Sequence, residues 1–270
     1  MKTSLKPRKK YSHKGDNGRV LIIGGSEDYI GAPSLVGMAA LATLRSGADL
    51  VTVAAPAKVA WTINCIAPDI ITKKIDCRNF TVKNVKEVVA LAENADVVEI
   101  GNGIAFTPGA KEFILGVIKR VKKSLVIDAA ALRVIKLQEV SNAVLLPHAK
   151  EFEALLQNSK LKEKDVQKHL GNNVLVKKGH PKTVIMSKNK IAYSGTGNAG
   201  MTHGGTGDIL AGIVAGLIAQ GNEPFMSAYV AAYVNGKAAD VLYKKMGFGY
   251  LASDVVQVIP TVLKGFQKQI

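Results

Sequence analysis

The fold is decided by the stretch Gly204-Gly-Thr-Gly-Asp208 and the apolar run that follows it, Ile209-Leu-Ala-Gly-Ile-Val-Ala-Gly-Leu-Ile-Ala219. Glycine has no Cβ, so a run of glycines can turn tightly and expose consecutive backbone N–H groups. The first turn of the following helix adds free N–H groups of its own, and this combination is an anion site that usually binds phosphate. The stretch therefore predicts a buried helix preceded by a phosphate-binding turn.

Asp208 stands at the predicted head of this helix and has two possible roles. It is either an N-cap, whose loss costs about 1 kcal/mol, or a base beside the phosphoryl group being transferred. The spacing fits both roles, and one residue can fill both. Gly212 and Gly216 lie on a helix that is apolar on every face, which indicates close contact with a neighbour and a rigidly held loop.

Strands and helices alternate along the rest of the chain, and several strands are continuously apolar, which is typical of a parallel sheet covered on both faces. The predicted strands are 19–24, 49–54, 70–75, 96–100, 124–127, 143–146 and 174–177, with a hairpin at 183–187 and 190–194. The predicted helices are 33–46, 83–94, 110–121, 150–157, 208–220, 224–244 and 253–264. We expect an α/β fold with a mostly parallel central sheet, helices on both faces and the ligand at the carboxyl ends of the strands.

The bulk composition suits one α/β domain. The chain has 270 residues, of which 47% are hydrophobic, enough for one large core. We expect a single domain over residues 1–270, with residues 1–12 as a basic N-terminal extension. The net charge of +15 indicates either attraction of polyanions or a solvated basic surface. The lysines are mostly spread along the chain, which favours the second interpretation and predicts no specific nucleic-acid partner.

Several classes of protein are disfavoured by the sequence. Cys65 and Cys77 are too few for a disulfide framework, so a reducing cytoplasm is expected. No apolar segment suits a signal peptide or a membrane span, so no membrane partner is expected. The histidines show no metal-ligand spacing, and neither a P-loop nor a G-x-S-x-G elbow occurs. The stretch Gly195-Thr-Gly-Asn-Ala-Gly200 matches G-x-G-x-x-G but does not lie at the first βα turn, which argues against a Rossmann site.

The glycine stretch resembles the anion-hole and base motif of ribokinase-like kinases. Within that superfamily, four more segments resemble the ADP/ATP-dependent NAD(P)H-hydrate dehydratases, in the same order along the chain. They are His13-Lys-Gly-Asp-Asn-Gly18 with the strand up to Ser26, Tyr29-Ile-Gly-Ala-Pro33, Leu44-Arg-Ser-Gly-Ala-Asp-Leu-Val-Thr-Val53 and Val144-Leu-Leu-Pro-His-Ala-Lys-Glu-Phe152. The resemblance covers about residues 13–265 and implies a ribokinase-like fold. We expect no epimerase domain of the kind often fused upstream in that family.

The resemblance also implies a repair reaction. The S form of NAD(P)H-hydrate carries a hydroxyl on its damaged nicotinamide ring. The enzyme would phosphorylate this hydroxyl from ADP, giving AMP, and loss of phosphate would restore NADH or NADPH. ATP is an alternative donor, and Mg²⁺ would bridge the phosphates. The expected partners are therefore the hydrated dinucleotide, ADP or ATP, and further copies of the chain in a homo-oligomer.

Each motif residue has a role under this resemblance. Asp208 takes the hydroxyl proton, and the backbone N–H groups of Gly205, Thr206 and Gly207 hold the transferring phosphoryl group. The implied substrate contacts are Ala32, Gly103, His148, Asn198 and Asp208. The implied nucleotide contacts are Lys178, Gly179, His180, Thr183 and Gly207. No metal ligand is assigned.

Some of these residues also have simpler interpretations. Lys178 could be a solvated lysine at a strand end, and His148 a turn histidine bonded to the backbone. Glu151, three residues after His148, could be a carboxylate favoured by the start of a helix or a partner of the site residues.

Two other functions also stay open: a kinase for a small alcohol such as a thiazole, pyrimidine or sugar, and a non-catalytic nucleic-acid-binding protein that uses the basic N-terminus.

The chain departs from the family pattern in three motifs. Gly101-Asn-Gly103 stands for G-P-G, Asp128-Ala-Ala-Ala-Leu132 lacks the second Asp of D-A-D-A-L, and Gly197-Asn-Ala-Gly-Met201 stands for G-N-P-G-M. Glu99 lies inside a predicted strand where an apolar residue is expected; pairing with another residue is one explanation, and the sequence assigns it no role. These changes affect details of the substrate pocket more than the reaction class.

Overall fold

A computed structural model describes residues 5–29 and 31–270. Its strands are β1 Arg19–Ile23, β2 Leu50–Pro56, β3 Ile71–Ile75, β4 Val97–Ile100, β5 Ser124–Ile127, β6 Ala143–Leu145, β7 Val174–Lys177, β8 Thr183–Ser187 and β9 Ile191–Ser194. They form one sheet in the order β3-β2-β1-β4-β5-β6-β7-β8-β9. Strands β1 to β7 pair in parallel, and β8 and β9 are antiparallel. The predicted mostly parallel sheet is confirmed.

Helices cover both faces of the sheet, as predicted. They are α1 Ala32–Arg45, α2 Ala57–Ile66, α3 Val85–Ala92, α4 Pro108–Arg120, α5 Ala129–Leu132, α6 Ala149–Ser159, α7 Val166–His169, α8 Thr206–Ala219, α9 Pro224–Met246 and α10 Ala252–Leu263. One apolar core lies between the sheet and α1, α2, α8, α9 and α10. A second core lies on the opposite face, under α3, α4 and α6. No described helix has both the length and the hydropathy needed to cross a bilayer.

Helix α8 is fixed by close contact with α1. A side chain at Gly212 would collide with the backbone of Ala39, and one at Gly216 would collide with Ser46 and the backbone of Thr43. The hydroxyl of Thr43 also donates to the carbonyl of Gly212 at 3.0 Å. The two glycines therefore let the helices approach as the sequence predicted, and the turn before α8 is held in place.

The structure corrects the predicted start of α8. The helix begins at Thr206, and its N-cap is Gly205, whose φ of 99° suits glycine. Asp208 is the third residue of the helix, so the N-cap interpretation of its carboxylate is wrong. Three helices were not predicted: α2, α5 and α7.

The N-terminal segment packs at the amino end of the sheet, at least from residue 5 onwards. Leu5 is buried, and the guanidinium of Arg8 binds Asp49 at 2.8 Å. The backbone N–H of Arg8 donates to the carbonyl of Lys268 at 2.9 Å. Residues 1–4 of the predicted extension lie outside the described residues.

Candidate active site

The predicted site residues gather at the carboxyl ends of β4 to β7, where α8 begins. His148 follows β6 and Lys178 follows β7, while Asp208 projects from the first turn of α8. Asp128, which was not predicted as a site residue, follows β5. Parallel strands bring their carboxyl ends to one edge, and this edge is the usual ligand site of α/β sheets.

The turn before α8 has the features of an anion cradle. The φ of 99° at Gly205 favours glycine, and a Cβ there would also displace the Met38 methyl group, which lies 2.8 Å away. The hydroxyl of Thr206 donates to the carbonyl of Met201 at 3.0 Å and holds the turn. The first N–H groups of a helix have no partner within it, so those of Thr206 and Gly207 are free to bind an anion.

The cradle lies beside a buried cation. A Cβ at Gly207 would lie 3.3 Å from the ammonium of Lys178. That ammonium donates to Asp128 at 2.7 Å and stands 3.9 Å from Glu151. Burial opposes the charge of Lys178, but Asp128 and Glu151 outweigh it and raise the pKa of the lysine. The interpretation of Lys178 as a solvated lysine is therefore wrong.

Asp208 is held by one side chain, the amide of Asn102. Nδ2 of Asn102 donates to Oδ1 of Asp208 at 2.7 Å. Burial, followed by the charge of Asp128, raises the pKa of Asp208 to about 6, while the Asn102 hydrogen bond lowers it. Asp208 is thus ionised at neutral pH but close enough to neutrality to exchange a proton, as a general base requires.

His148 and Glu151 form a reciprocal cap at the start of α6. The backbone N–H of His148 donates to Glu151 at 2.9 Å, and Nδ1 of His148 accepts from the backbone N–H of Glu151 at 3.2 Å. Burial and then Lys178 lower the pKa of His148, so its imidazole is neutral. Burial raises the pKa of Glu151 to about 7. The simpler interpretations of both residues hold, and the half-exposed imidazole is still available to a ligand.

Two cavities meet at this point of the sheet. The first, of about 480 Å³, is lined by all five predicted nucleotide contacts: Lys178, Gly179, His180, Thr183 and Gly207. The second, of about 550 Å³, is lined by Gly103, Phe106, Arg133 and Glu151 among others. His148 lines both cavities. Ala32 is buried, and a Cβ at Gly103 would lie 3.0 Å from the Ala32 methyl, so Ala32 supports the wall of the second cavity from behind.

Asn198 lies apart from the other predicted substrate contacts. It lines the first cavity, together with the predicted nucleotide contacts. Its Oδ1 accepts from the Tyr250 hydroxyl at 2.7 Å, and its Nδ2 donates to Asp240 at 3.1 Å. These bonds show that Asn198 shapes the loop before α8, and Asn198 lines a different cavity from Gly103.

Sequence reasoning assigned no role to four residues that lie at or beside this site. Asn102 and Asp128 lie within segments that depart from the family pattern, and this was the available signal for both. The third is Arg133, whose guanidinium lies 4.0 Å from the centre of the Phe106 ring in the second cavity. The fourth, Glu99, is fully buried, and neither of its carboxyl oxygens has a hydrogen-bond partner among the described residues.

Sequence comparison connects this site with known proteins. The family model described as NAD(P)H-hydrate dehydratase matches residues 20–261. The bifunctional NAD(P)H-hydrate repair enzyme of Methanothermobacter thermautotrophicus is 37% identical over 95% of this chain and 51% of its own length. The chain thus spans about half the length of such relatives. The ADP-dependent (S)-NAD(P)H-hydrate dehydratase of Nitrosopumilus maritimus is 35% identical over 99% of this chain and 96% of its own.

Structure comparison shows the superfamily of the fold. A ribokinase-like superfamily protein from Enterococcus faecalis superposes with a TM-score of 0.81 at 27% identity, over 98% of this chain and 93% of its own. The predicted ribokinase-like fold is confirmed.

Proposed function

The chain belongs to the NAD(P)H-hydrate dehydratase family, and on that premise we propose that it restores NADH and NADPH from the S form of their hydrates, with ADP as phosphoryl donor. The observation that carries the proposal is the position of Asp208. It follows Gly207, which lines the first cavity, and it is bound by Asn102, which precedes Gly103 of the second. A base in this position can serve a donor on one side and a hydroxyl on the other.

The proposed reaction has two steps. Asp208 takes the proton of the ring hydroxyl while the hydroxyl oxygen bonds to the β-phosphorus of ADP, and the bridging P–O bond breaks to release AMP. The ring C–O bond then breaks with the departing phosphate, and loss of a proton from the adjacent ring carbon restores the double bond. The products are NADH or NADPH, AMP and inorganic phosphate.

The chain provides charge stabilisation where the first step needs it. The N–H groups of Gly205, Thr206 and Gly207 would face the oxygens of the transferring phosphoryl group, and Lys178 stands beside them. Fixed donors of this kind act on charge that develops in the transition state. The apolar lining of the first cavity, which includes Met201, Leu210 and Ala232, suits the adenine base.

Mg²⁺ is part of the proposal as a partner of the nucleotide. The described residues include no group of three or more His, Cys, Asp or Glu side chains placed to hold a metal. Magnesium commonly uses one or two carboxylates and completes its shell with phosphates and water, so the few carboxylates of this site fit such a mode. Bound Mg²⁺ would neutralise part of the phosphate charge.

A homo-oligomer in the cytoplasm is also proposed. Four apolar side chains are exposed around the end of α9: Tyr243, Met246, Phe248 and Leu251. The rings of Tyr243 and Phe248 pack at 4.7 Å and present one apolar surface. Both cysteines are free, which suits a reducing compartment. Light scattering of the purified protein would give the mass of the assembly, and a monomer would contradict this part of the proposal.

The function is tested by recovery of the reduced-nicotinamide absorbance from hydrated NADH, with Mg²⁺ and either ADP or ATP. We expect recovery with ADP, and a loss of about 10²- to 10⁴-fold in Asp208→Asn because the base is removed. Asp69→Asn, at an exposed turn, is the matched control and should keep full activity. Folded wild-type protein that consumes neither donor would contradict the proposal, and faster recovery with ATP would overturn the assigned donor.

A further inference from the structure

Glu99 is a carboxyl group inside the core that the proposed reaction leaves without a role. It lies on β4, is fully buried, and shares its face of the strand with Val97, towards α8. Among the described residues, no hydrogen-bond donor reaches either of its oxygens. An ionised carboxylate without partners is very costly in such a place. Burial, followed by the charges of Asp128 and Asp208, raises the pKa of Glu99 well above its usual value, which favours the protonated carboxyl group.

The charges around Glu99 support the neutral form. Lys178 is the cation of this cluster, and its ammonium is engaged by Asp128 at 2.7 Å and lies 3.9 Å from Glu151. Asp208 contributes a further negative charge near Glu99. One ammonium therefore faces four carboxyl groups. Glu99 is the carboxyl group without a cation partner or a hydrogen-bond donor, and it retains its proton.

The side-chain oxygen of Asn102 lacks a hydrogen-bond donor, whereas Glu99 lacks an acceptor for its proton. Its Nδ2 is committed to Asp208 at 2.7 Å, because a carboxylate accepts only from the N–H side of an amide. Its Oδ1 is consequently turned away from Asp208, is buried, and has no donor among the described residues. A neutral carboxyl group has one O–H to donate, which is what this oxygen lacks.

We propose that neutral Glu99 donates its carboxyl hydrogen to Oδ1 of Asn102 and thereby fixes the amide that holds the base Asp208. The residues are three apart in the chain, and Asp208 is close to both, since it accepts from Asn102 and its charge acts on Glu99. Glu99 is then a positioning residue, and this inference rests on the proposed function. It accounts for a charged residue inside a strand and for a departure from a family motif together, because each residue supplies what the other needs.

Kinetics of substituted proteins test whether Glu99 acts on Asp208 through Asn102. Glu99→Leu should lower kcat about tenfold, since one hydrogen bond of the base's support is lost, with little change in the KM for ADP. The acid limb of its pH profile should move to higher pH, because a loosened Asn102 no longer lowers the pKa of Asp208. Glu99→Gln, whose amide can donate to Oδ1 of Asn102, should restore both kcat and the position of the acid limb. In an Asn102→Leu background, Glu99→Leu should have no further effect.

Val97→Ala is the matched control, since it disturbs packing on the same face without a polar change; its acid limb should stay in place. Glu99→Gln as impaired as Glu99→Leu would show that Glu99 acts through its charge and would overturn the proposal. An unchanged pH profile in Glu99→Leu would also overturn it.

An infrared measurement tests the proton without relying on activity or on a destabilised variant. At a pH above the titration of Glu151, about 7, the wild type should show the carbonyl band of a protonated carboxyl group that Glu99→Gln lacks. Absence of this band from folded wild-type protein would overturn the proposal. If the wild type performs no dehydration, the proposed function fails, yet the band and the titration of Asp208 followed by NMR still decide whether Glu99 supports Asn102.

Discussion

The two ends of the sheet shift the pKa of an aspartate in opposite directions. At the amino end, Asp49 accepts from the backbone N–H groups of Gly15 and Asn17 at 2.9 and 3.0 Å and from Arg8 at 2.8 Å. Although burial opposes it, these bonds hold the pKa of Asp49 below its usual value. At the carboxyl end, Asp208 has one amide donor from another side chain and a pKa raised to about 6. The contrast indicates that the amino end is built for stability and the carboxyl end for chemistry.

The same substitution at both ends should have the largest and most different effects. Asp208→Asn should abolish nearly all activity, by about 10²- to 10⁴-fold, with no loss in the free energy of unfolding because burial and the charge of Asp128 disfavour the carboxylate that is removed. Asp49→Asn should lower that free energy by about 1–3 kcal/mol and leave kcat unchanged. Urea unfolding gives the free energy of unfolding of each variant, and steady-state kinetics give its kcat. Equal loss of activity in the two variants would remove the distinction.

The next largest effect is expected at Lys178. Lys178→Met leaves Asp128 and Glu151 without their cation, and breaking a buried ion pair costs about 3–5 kcal/mol. Loss of the positive charge should also raise the pKa of Asp208, so that activity appears only at higher pH. Thermal unfolding and a pH–rate profile measure both effects. Lys190→Met, at the exposed turn between β8 and β9, is the control and should change neither.

The pH dependence of stability should have opposite signs at the two aspartates. The pKa of Asp208 is raised from 3.8 to about 6, so its contribution is present below 3.8 and is lost as the pH rises through 6. The lowered pKa of Asp49 makes its contribution present above 3.8 and lost as the pH falls. Unfolding free energies measured across acid pH should therefore become flatter between 3.8 and 6 in Asp208→Asn. A profile identical to the wild type would contradict the raised pKa.

The smallest effect is expected from the turn itself. Gly205→Ala places a side chain at a φ of 99° and 2.8 Å from the Met38 methyl group, which should cost about 1–2 kcal/mol. The cradle N–H groups would shift, so kcat should fall as well. Gly204→Ala is a matched control because it has open space around its Cβ position. Equal kcat values for the two variants would show that the geometry of Gly205 does not position the cradle.

Much of the fold could be predicted because its signals are local. The apolar strands and the glycines of α8 specify a parallel sheet and a close helix pair without knowledge of tertiary contacts. Helix α2 was missed because it follows β2 directly and its N-cap, Pro56, offers no capping side chain. The start of α8 was misplaced because an aspartate is a common N-cap, while the actual cap is a glycine in the left-handed region.

The residues of the site were easier to predict than their interactions. The glycine turn, His148 and Lys178 belong to motifs that are visible in the sequence. The bonds from Asn102 to Asp208 and from Lys178 to Asp128 connect positions 106 and 50 residues apart and depend on the order of the strands. The neutral state of Glu99 depends on the same long-range packing, which no local pattern contains.

The central claim is that Asp208 starts a reaction that ends in free phosphate and restored dinucleotide. Phosphorus NMR of the wild type with hydrated NADH, ADP and Mg²⁺ tests it most directly. We predict that AMP, inorganic phosphate and NADH appear in equal amounts, and that none forms in Asp208→Asn. Accumulation of a stable phosphate ester without NADH would contradict the claim and identify the protein as a kinase.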